Sequence, residues 1–215
     1  MRASKLAFLV AGAFLASLGN VSLATPVLYL DKGAFVSYNI VTLTEDFENI
    51  APIPKDVGLV SFTHNGVTYT GTQAVGPNVL VTSYDYGNFG VEPTLSPSIL
   101  TANGNEEFTV DLGTHAGQAV GFDVYFNGLG PLTIEYFGSG GSLATATISG
   151  LASMVFLGVT FDEPVYSFTW AATGGGQLNT GLDNLYTGTI PAPGAILLGT
   201  LGAGLVGWLR RRRTL

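Results

Sequence analysis

Three sets of side chains in this sequence have the types and spacing for chemistry. The first is acidic: Glu45-Asp46-Phe47-Glu48, read as part of an early strand, and Asp183-Asn184, read as part of the last one. Carboxylates and amide carbonyls are the hard oxygen donors that Ca2+ takes about six to eight at a time. No contiguous loop of the EF-hand kind is present, so a site needs the two segments to meet in space. The same residues also read as solvated carboxylates on strand edges, where charge discourages edge-to-edge pairing. The second set is aromatic. In Tyr84-Asp85-Tyr86-Gly87-Asn88-Phe89, Tyr84, Tyr86 and Phe89 offer flat faces for a sugar ring, with hydrogen-bonding partners between them; the stretch also reads as a strand end whose tyrosines cap the core. The third set is His64, beside a tight turn, and His115, in the loop Gly113-Thr114-His115-Ala116-Gly117. With no G-x-S-x-G, H-E-x-x-H or P-loop in the chain, both read as polar surface residues. Glycoside hydrolysis needs two carboxyls about 5–10 Å apart across a cleft. Fifteen acids supply some such pair by chance, and Asp162-Glu163, before Pro164, reads as a turn. No catalytic residue is assigned.

These groups need elements to hold them, and the hydrophobic period is two. Phe108, Val110 and Leu112 alternate with polar or small residues. So do Val120, Phe122, Val124 and Phe126, then Leu132, Ile134 and Tyr136. Val155, Leu157, Val159 and Phe161 follow, and after a break at Glu163-Pro164 come Tyr166, Phe168 and Trp170. Alternation rich in aromatic and β-branched residues predicts half-buried antiparallel strands. Asn65-Gly66 between two such runs predicts a type I′ hairpin. Asn127-Gly128, Gly138 to Gly141 and Gly174 to Gly176 mark further turns. No segment between Thr25 and Pro191 shows a capped helical period. The expected fold is all-β, an antiparallel β-sandwich or jelly roll over residues 25–189.

The chain of 215 residues has 47% apolar and only 11% charged residues, with no Cys. The last fact excludes disulfide and Cys–metal scaffolds. Charge is divided by position. Arg2, Lys5 and Arg210, Arg211, Arg212 and Arg213 lie at the ends, whereas between Thr25 and Pro191 two cations, Lys32 and Lys55, face fifteen acids, a balance of −13. A surface of that sign is unsuited to nucleic acid, whose phosphates are met by Lys and Arg.

Both ends read as addresses. A basic start, an apolar run over 6–18 and Ser22-Leu23-Ala24 predict a signal peptide over 1–24, with a signal helix cut between Ala24 and Thr25 by signal peptidase after passage through the Sec translocon. At the other end Pro191-Ala192-Pro193 precedes sixteen uncharged residues, 194–209, and then four arginines. That predicts a short transmembrane helix whose Arg210, Arg211, Arg212 and Arg213 hold the C-terminus in the cytoplasm, with Gly199, Gly202 and Gly207 allowing close helix approach.

The tail over 190–215 resembles the PEP-CTERM sorting signal of Gram-negative bacteria: a proline motif, a Gly-rich apolar helix with Trp208 near its end, and an arginine cluster. The family's central Glu is Ala192 here. The resemblance implies export, transient anchoring in the inner membrane, recognition and cleavage by exosortase near Pro191, Ala192 and Pro193, and release to the cell surface or matrix. It also implies a link to extracellular polysaccharide. The strand motifs at residues 121–126, 134–138, 156–159 and 181–185 resemble the jelly roll common in PEP-CTERM proteins and the galactose-binding-like fold of carbohydrate-binding modules. That second resemblance implies a structural calcium site where first and last strands meet, with Asp46, Glu48 and Asp183 as ligands. The expected function is thus a non-enzymatic binding or structural protein of the cell surface; the alternative is a secreted hydrolase of envelope polysaccharide.

Overall fold

A computed structural model of the chain describes residues 26–72, 78–83, 98–104, 106–149, 153–172 and 179–191. The two end segments, the aromatic stretch 84–89 and the glycines 174–176 fall outside them. The strands are β1 (Val27–Tyr29), β2 (Ile40–Glu45), β3 (Ser61–His64), β4 (Val67–Gly71), β5 (Val79–Ser83), β6 (Ser98–Ala102), β7 (Glu107–Asp111), β8 (Gly117–Phe126), β9 (Leu132–Gly138), β10 (Gly141–Ile148), β11 (Ser153–Val165), β12 (Ser167–Ala172) and β13 (Thr180–Thr189). Every strand pairing among them is antiparallel.

They form two sheets. One runs β1-β11-β8-β13-β6-β5, with β2 also on β13; the other runs β10-β9-β12-β7-β4-β3. The alternating residues of the sequence make the layer between them. Phe108, Val110, Val120, Phe122, Val124, Phe126, Leu132, Ile134, Tyr136, Leu157, Val159, Phe161, Phe168 and Trp170 belong to one buried cluster. Trp170 stacks on Phe108 with centroids 5.5 Å apart and meets Phe122 edge-on at 5.8 Å. Its indole N–H donates to Thr180 Oγ1 at 2.8 Å, which satisfies the one polar atom that burial would otherwise strand. The hairpin forms as the dipeptide predicts: Asn65 and Gly66 both have positive φ, 47° and 80°, as type I′ requires.

Two expectations need correction. A helix does occur in the middle of the chain, α1 (Lys32–Tyr38), and Asp31 caps it by accepting from the Ala34 N–H. Seven residues are too few for a period to show, and what folds them is tertiary. Phe35 drops onto Gly158 and Gly121, cross-strand partners of β11 and β8. A Cβ on Gly158 would lie 2.5 Å from the Phe35 ring. Nor is Asp162-Glu163-Pro164 a turn. It lies within β11, at an irregularity between Thr160 and Val165 where pairing with β8 lapses, and a proline is tolerated at such a place.

One transverse row of the larger sheet joins Val27, Thr160, Ala119 and Gly188. The described chain therefore begins and ends at the same end of the sandwich, three strand spacings or about 14 Å apart. Among the described residues no helix is long and apolar enough to cross a membrane.

Candidate functional site

The acidic residues meet on the outer face of the larger sheet. The last strand explains why. On β13, Leu182 points into the core and Asp183 points out; regular alternation would then turn Leu185 out. Asn184 takes φ 51° instead, a left-handed conformation that Asn tolerates better than most residues. Pairing with β8 shifts register between Asp183 and Tyr186. The extra residue returns Leu185 to the core and leaves Asp183 directly opposite Asp123 of β8. Two carboxylates facing each other across a strand pair repel, and the structure answers with donors. Asn184 gives its backbone N–H to Asp183 Oδ1 at 2.6 Å, and its side-chain amide to Asp183 Oδ2 at 3.0 Å and Asp123 Oδ2 at 2.8 Å.

Asp46 and Glu48 come from the turn that leaves β2, not from the strand itself, which ends at Glu45. β2 lies against the second half of β13, so the turn arrives beside Asp183. Asp46 Oδ1 accepts the Glu48 N–H at 3.1 Å. Phe47, with φ 56°, and Ile50 bury themselves in the core and fasten the turn. Glu48 then grips the first residue of β6, accepting from the Ser98 N–H at 2.8 Å and the Ser98 hydroxyl at 3.0 Å. The predicted residues Asp46, Glu48 and Asp183 are thus brought together. Asp123 joins them without a local signal in the sequence, because only strand register places it there.

Electrostatics marks the cluster as a unit. The Asp183 carboxyl, 4% exposed, is pushed up to about 7. Burial is the main cause; the Asn184 N–H opposes it, and the charges of Asp123, Glu48 and Asp46 add to it. Both cations of the middle of the chain come to this place. Lys32 reaches from α1 to Asp123 Oδ2 at 3.2 Å and lies 4.9 Å from the centre of the Tyr186 ring. Burial lowers its pKa, but the Tyr186 hydroxyl and Asp123 outweigh that and raise it. Lys55 bonds the Ser98 hydroxyl and stands 4.0 Å from Glu48. Four carboxylates against two ammonium groups leave a formal charge equal and opposite to one divalent cation. As the side chains lie, however, no three His, Asp or Glu groups among the described residues converge closely enough to hold a metal ion. Both oxygens of Glu48 are turned to Ser98 and both oxygens of Asp183 to Asn184.

The aromatic residues Tyr84, Tyr86 and Phe89 fall outside the described residues, but the ends of their segment are fixed. Ser83 and Ser98 are cross-strand partners on β5 and β6, and Ser98 is the residue that Glu48 holds.

Two other buried carboxyls serve the fold. Glu45 accepts from the Phe47 N–H at 2.9 Å and from Asn65 Nδ2 at 2.8 Å, and its Oε2 lies 2.6 Å from His64 Nδ1. His64 is therefore no free surface residue, but part of a clamp joining the β3–β4 hairpin to the end of β2. Glu106 is pushed up to about 8 by burial, against the lowering effect of bonds from the Thr180 hydroxyl and N–H. Raised carboxyls are a mark of general acids. Here the two lie on opposite faces of β13, Glu106 bonded to inward Thr180 and Asp183 pointing outward, so the sheet stands between them and they share no cleft.

No protein-family model matches this chain, and no curated protein matches it. Among solved structures it is similar to the K2 cleaved adhesin domain of Lys-gingipain, with TM-score 0.47 and 11% identity over 67% of this chain and 96% of that one. It is also similar to a family 29 carbohydrate-binding module complexed with mannohexaose, with TM-score 0.36 and 16% identity over 64% of this chain and 90% of that one. A further structure of the family 29 module gives TM-score 0.30 and 20% identity over 57% and 90%. At these scores and identities none of them bears on what this chain binds.

Proposed function

We propose that this chain is an exported, non-catalytic β-sandwich of the cell surface or extracellular matrix that binds polysaccharide through the aromatic residues Tyr84, Tyr86 and Phe89. One observation carries the reading: Ser83 pairs with Ser98, and Ser98 is gripped by Glu48 of the cluster. Any ion that tightens the cluster therefore tightens the base of the segment bearing Tyr84, Tyr86 and Phe89. Calcium is the proposed ion, with Asp46, Glu48 and Asp183 as ligands and Asp123 beside them, after rotation of the exposed Asp46 carboxylate toward Asp183, Glu48 keeping its bonds from Ser98 and offering the lone pairs they leave free. Its role is to hold the loop, with no step of chemistry assigned to it. Stacking on sugar rings is neutral work, which suits a domain whose charge repels anions.

The proposal includes the delivery route. Signal peptidase would cut after Ala24, the tail would anchor the chain in the inner membrane by Arg210, Arg211, Arg212 and Arg213, and exosortase would cut near Pro191–Pro193. A cut at residue 191 would fall just past β13, which ends at Thr189, and would leave every described strand whole.

A glycan array probed with the full chain, in calcium and in EGTA, tests the binding reading. Expected is binding to neutral polysaccharide that weakens in EGTA and is lost in Tyr84→Ala/Tyr86→Ala. Release of reducing sugar would overturn it in favour of a hydrolase. Replacing the four arginines with Gln should disturb anchoring and processing in the cell; unaltered cleavage would count against the sorting route.

A further inference from the structure

The end of the sandwich at which the described chain begins and ends gathers large apolar side chains in water. Val27, Tyr38, Ile40, Tyr166 and Ile190 are all between 36% and 66% exposed, and such a set marks a surface that something covers. Register brings them together. Val27 heads the row through Thr160 and Ala119 to Gly188, and Gly188 pairs on with Val41. Val27 and Ile40 thus flank this end of the larger sheet, four strand spacings or about 19 Å apart. Ile40 is the partner of Thr189, the residue before Ile190, and Tyr38 closes α1 two residues before Ile40. Tyr166 stands where the chain passes from β11 to β12, its N–H bonded to the Phe137 carbonyl at 2.9 Å. It brings the smaller sheet to the same end.

The length of the following chain points to the occupant. Pro191 is the last described residue, and the uncharged run 194–209 begins three residues later. Three extended residues span about 11 Å at most. With that run in a bilayer, this end of the sandwich is held within about 11 Å of the membrane. Leu129, between β8 and β9, lies at the other end, about 30 Å off along the ten-residue β8. The side chains suit a headgroup layer, where aliphatic groups bury shallowly and a tyrosine keeps its hydroxyl wet. Charge selects the lipid. Asp162 and Glu163 are exposed on β11 between the partners of Val27 and Gly117, and Asp111 is exposed opposite Ser167. Both lysines among the described residues are engaged elsewhere, Lys32 with Asp123 and Lys55 with Ser98. Acids without cations are repelled by anionic lipid and drawn to the outward ammonium groups of zwitterionic lipid.

We propose that this end is a membrane-docking surface that lies on a zwitterionic phospholipid bilayer while the tail is anchored. The inference rests on the reading of 194–209 as an anchor. Docking fixes an orientation as well as a distance: the proline motif after β13 is held at headgroup level, where a membrane enzyme works.

The chain has no Cys, so single cysteines report position. The full chain with Val27→Cys, Tyr166→Cys or Leu129→Cys is labelled with bimane in vesicles of phosphatidylethanolamine and phosphatidylcholine, with a doxyl lipid as quencher. Alkaline carbonate extraction of the same vesicles reports anchoring. Expected is quenching at 27 and 166 at least about two-fold that at 129, weakened when about a third of the lipid is phosphatidylglycerol. Tyr38→Ser/Ile40→Ser should bring quenching at 27 down toward that at 129. Retention in carbonate with equal quenching at all three positions, or quenching at 27 unaltered by the double variant, overturns docking and spares the anchor. Extraction by carbonate overturns the anchor; unequal quenching then still supports the surface, and equal quenching overturns it too. Quenching that grows with phosphatidylglycerol overturns the assigned lipid class.

Discussion

Asp183→Asn isolates the electrostatics of the acidic cluster. The Asp183 carboxyl moves from its ordinary 3.8 to about 7 in the folded chain. A group whose folded pKa is raised holds its proton more tightly folded than unfolded. Its stabilising effect is complete below about pH 4, declines as pH rises from 4 to 7, and is gone above 7. At about 1.4 kcal/mol per pH unit, the full difference is about 4 kcal/mol. Lys32 near Asp123 and the rim of solvent at Asp46 and Glu48 will screen part of this, so about 2 kcal/mol is expected. Asn has the same shape and one carbonyl for the Asn184 N–H, while the Asn184 side-chain amide keeps its bond to Asp123. It does not titrate. In urea denaturation without divalent ions, Asp183→Asn should therefore match the parent near pH 4 and exceed it by about 2 kcal/mol at pH 8. Glu106 titrates in both proteins and cancels, being bonded to Thr180 on the other face of the strand. Calcium should reverse the order at pH 8: the parent gains about 3 kcal/mol at a hundred-fold excess over Kd, and the variant gains much less. A parent–variant difference that stays flat from pH 4 to 8 would refute the account of the cluster, and a melting temperature indifferent to calcium at pH 8 would refute the proposed ion.

Glu106→Gln should also stabilise the chain relative to the parent as pH rises toward 8, by about 3–5 kcal/mol for a carboxyl raised from 4.5 to about 8, with the Gln carbonyl taking the Thr180 bonds; urea melts at pH 5 and 9 show it. Gly158→Ala should destabilise by about 1–3 kcal/mol because its Cβ meets the Phe35 ring, and Phe35→Ala in the same background should recover part of that loss. His64→Ala removes one donor from buried Glu45 and should cost about 1–3 kcal/mol at pH 7 by chemical denaturation, whereas His115→Ala, lacking such a partner among the hydrogen bonds described, should change stability by less than about 0.5 kcal/mol.

Strands and turns were legible in the sequence wherever the cause is local. The alternation from Val120 to Phe126 places four side chains on one face whatever lies opposite, because successive Cβ atoms of a strand point to opposite sides. Asn65-Gly66 makes its turn because those two residues reach positive φ at little cost. Helix α1 was not legible: its seven residues hold only because Phe35 finds the flat floor of Gly121 and Gly158, a surface made by strands some 85 and 120 positions later. The strand through Glu163-Pro164 was missed because proline argues locally for a break, and the lapse in pairing that admits it belongs to β8 and β11 together.

The site divides in the same way. Composition alone fixes that fifteen acids and two lysines share the middle of the chain, and Asp46, Glu48 and Asp183 are conspicuous as acids near strand ends. That Asp123 stands opposite Asp183 is a matter of strand register, and that Lys32 reaches Asp123 from α1 and Glu45 belongs to His64 and Asn65 instead are matters of tertiary contact between residues 19 to 91 positions apart. A single left-handed residue, Asn184, sets that register by adding one position to β13. Side-chain pattern is a property of one strand and can be read along it; which carboxylate meets which cation is a property of two strands and a bulge, and only the folded sheet decides it.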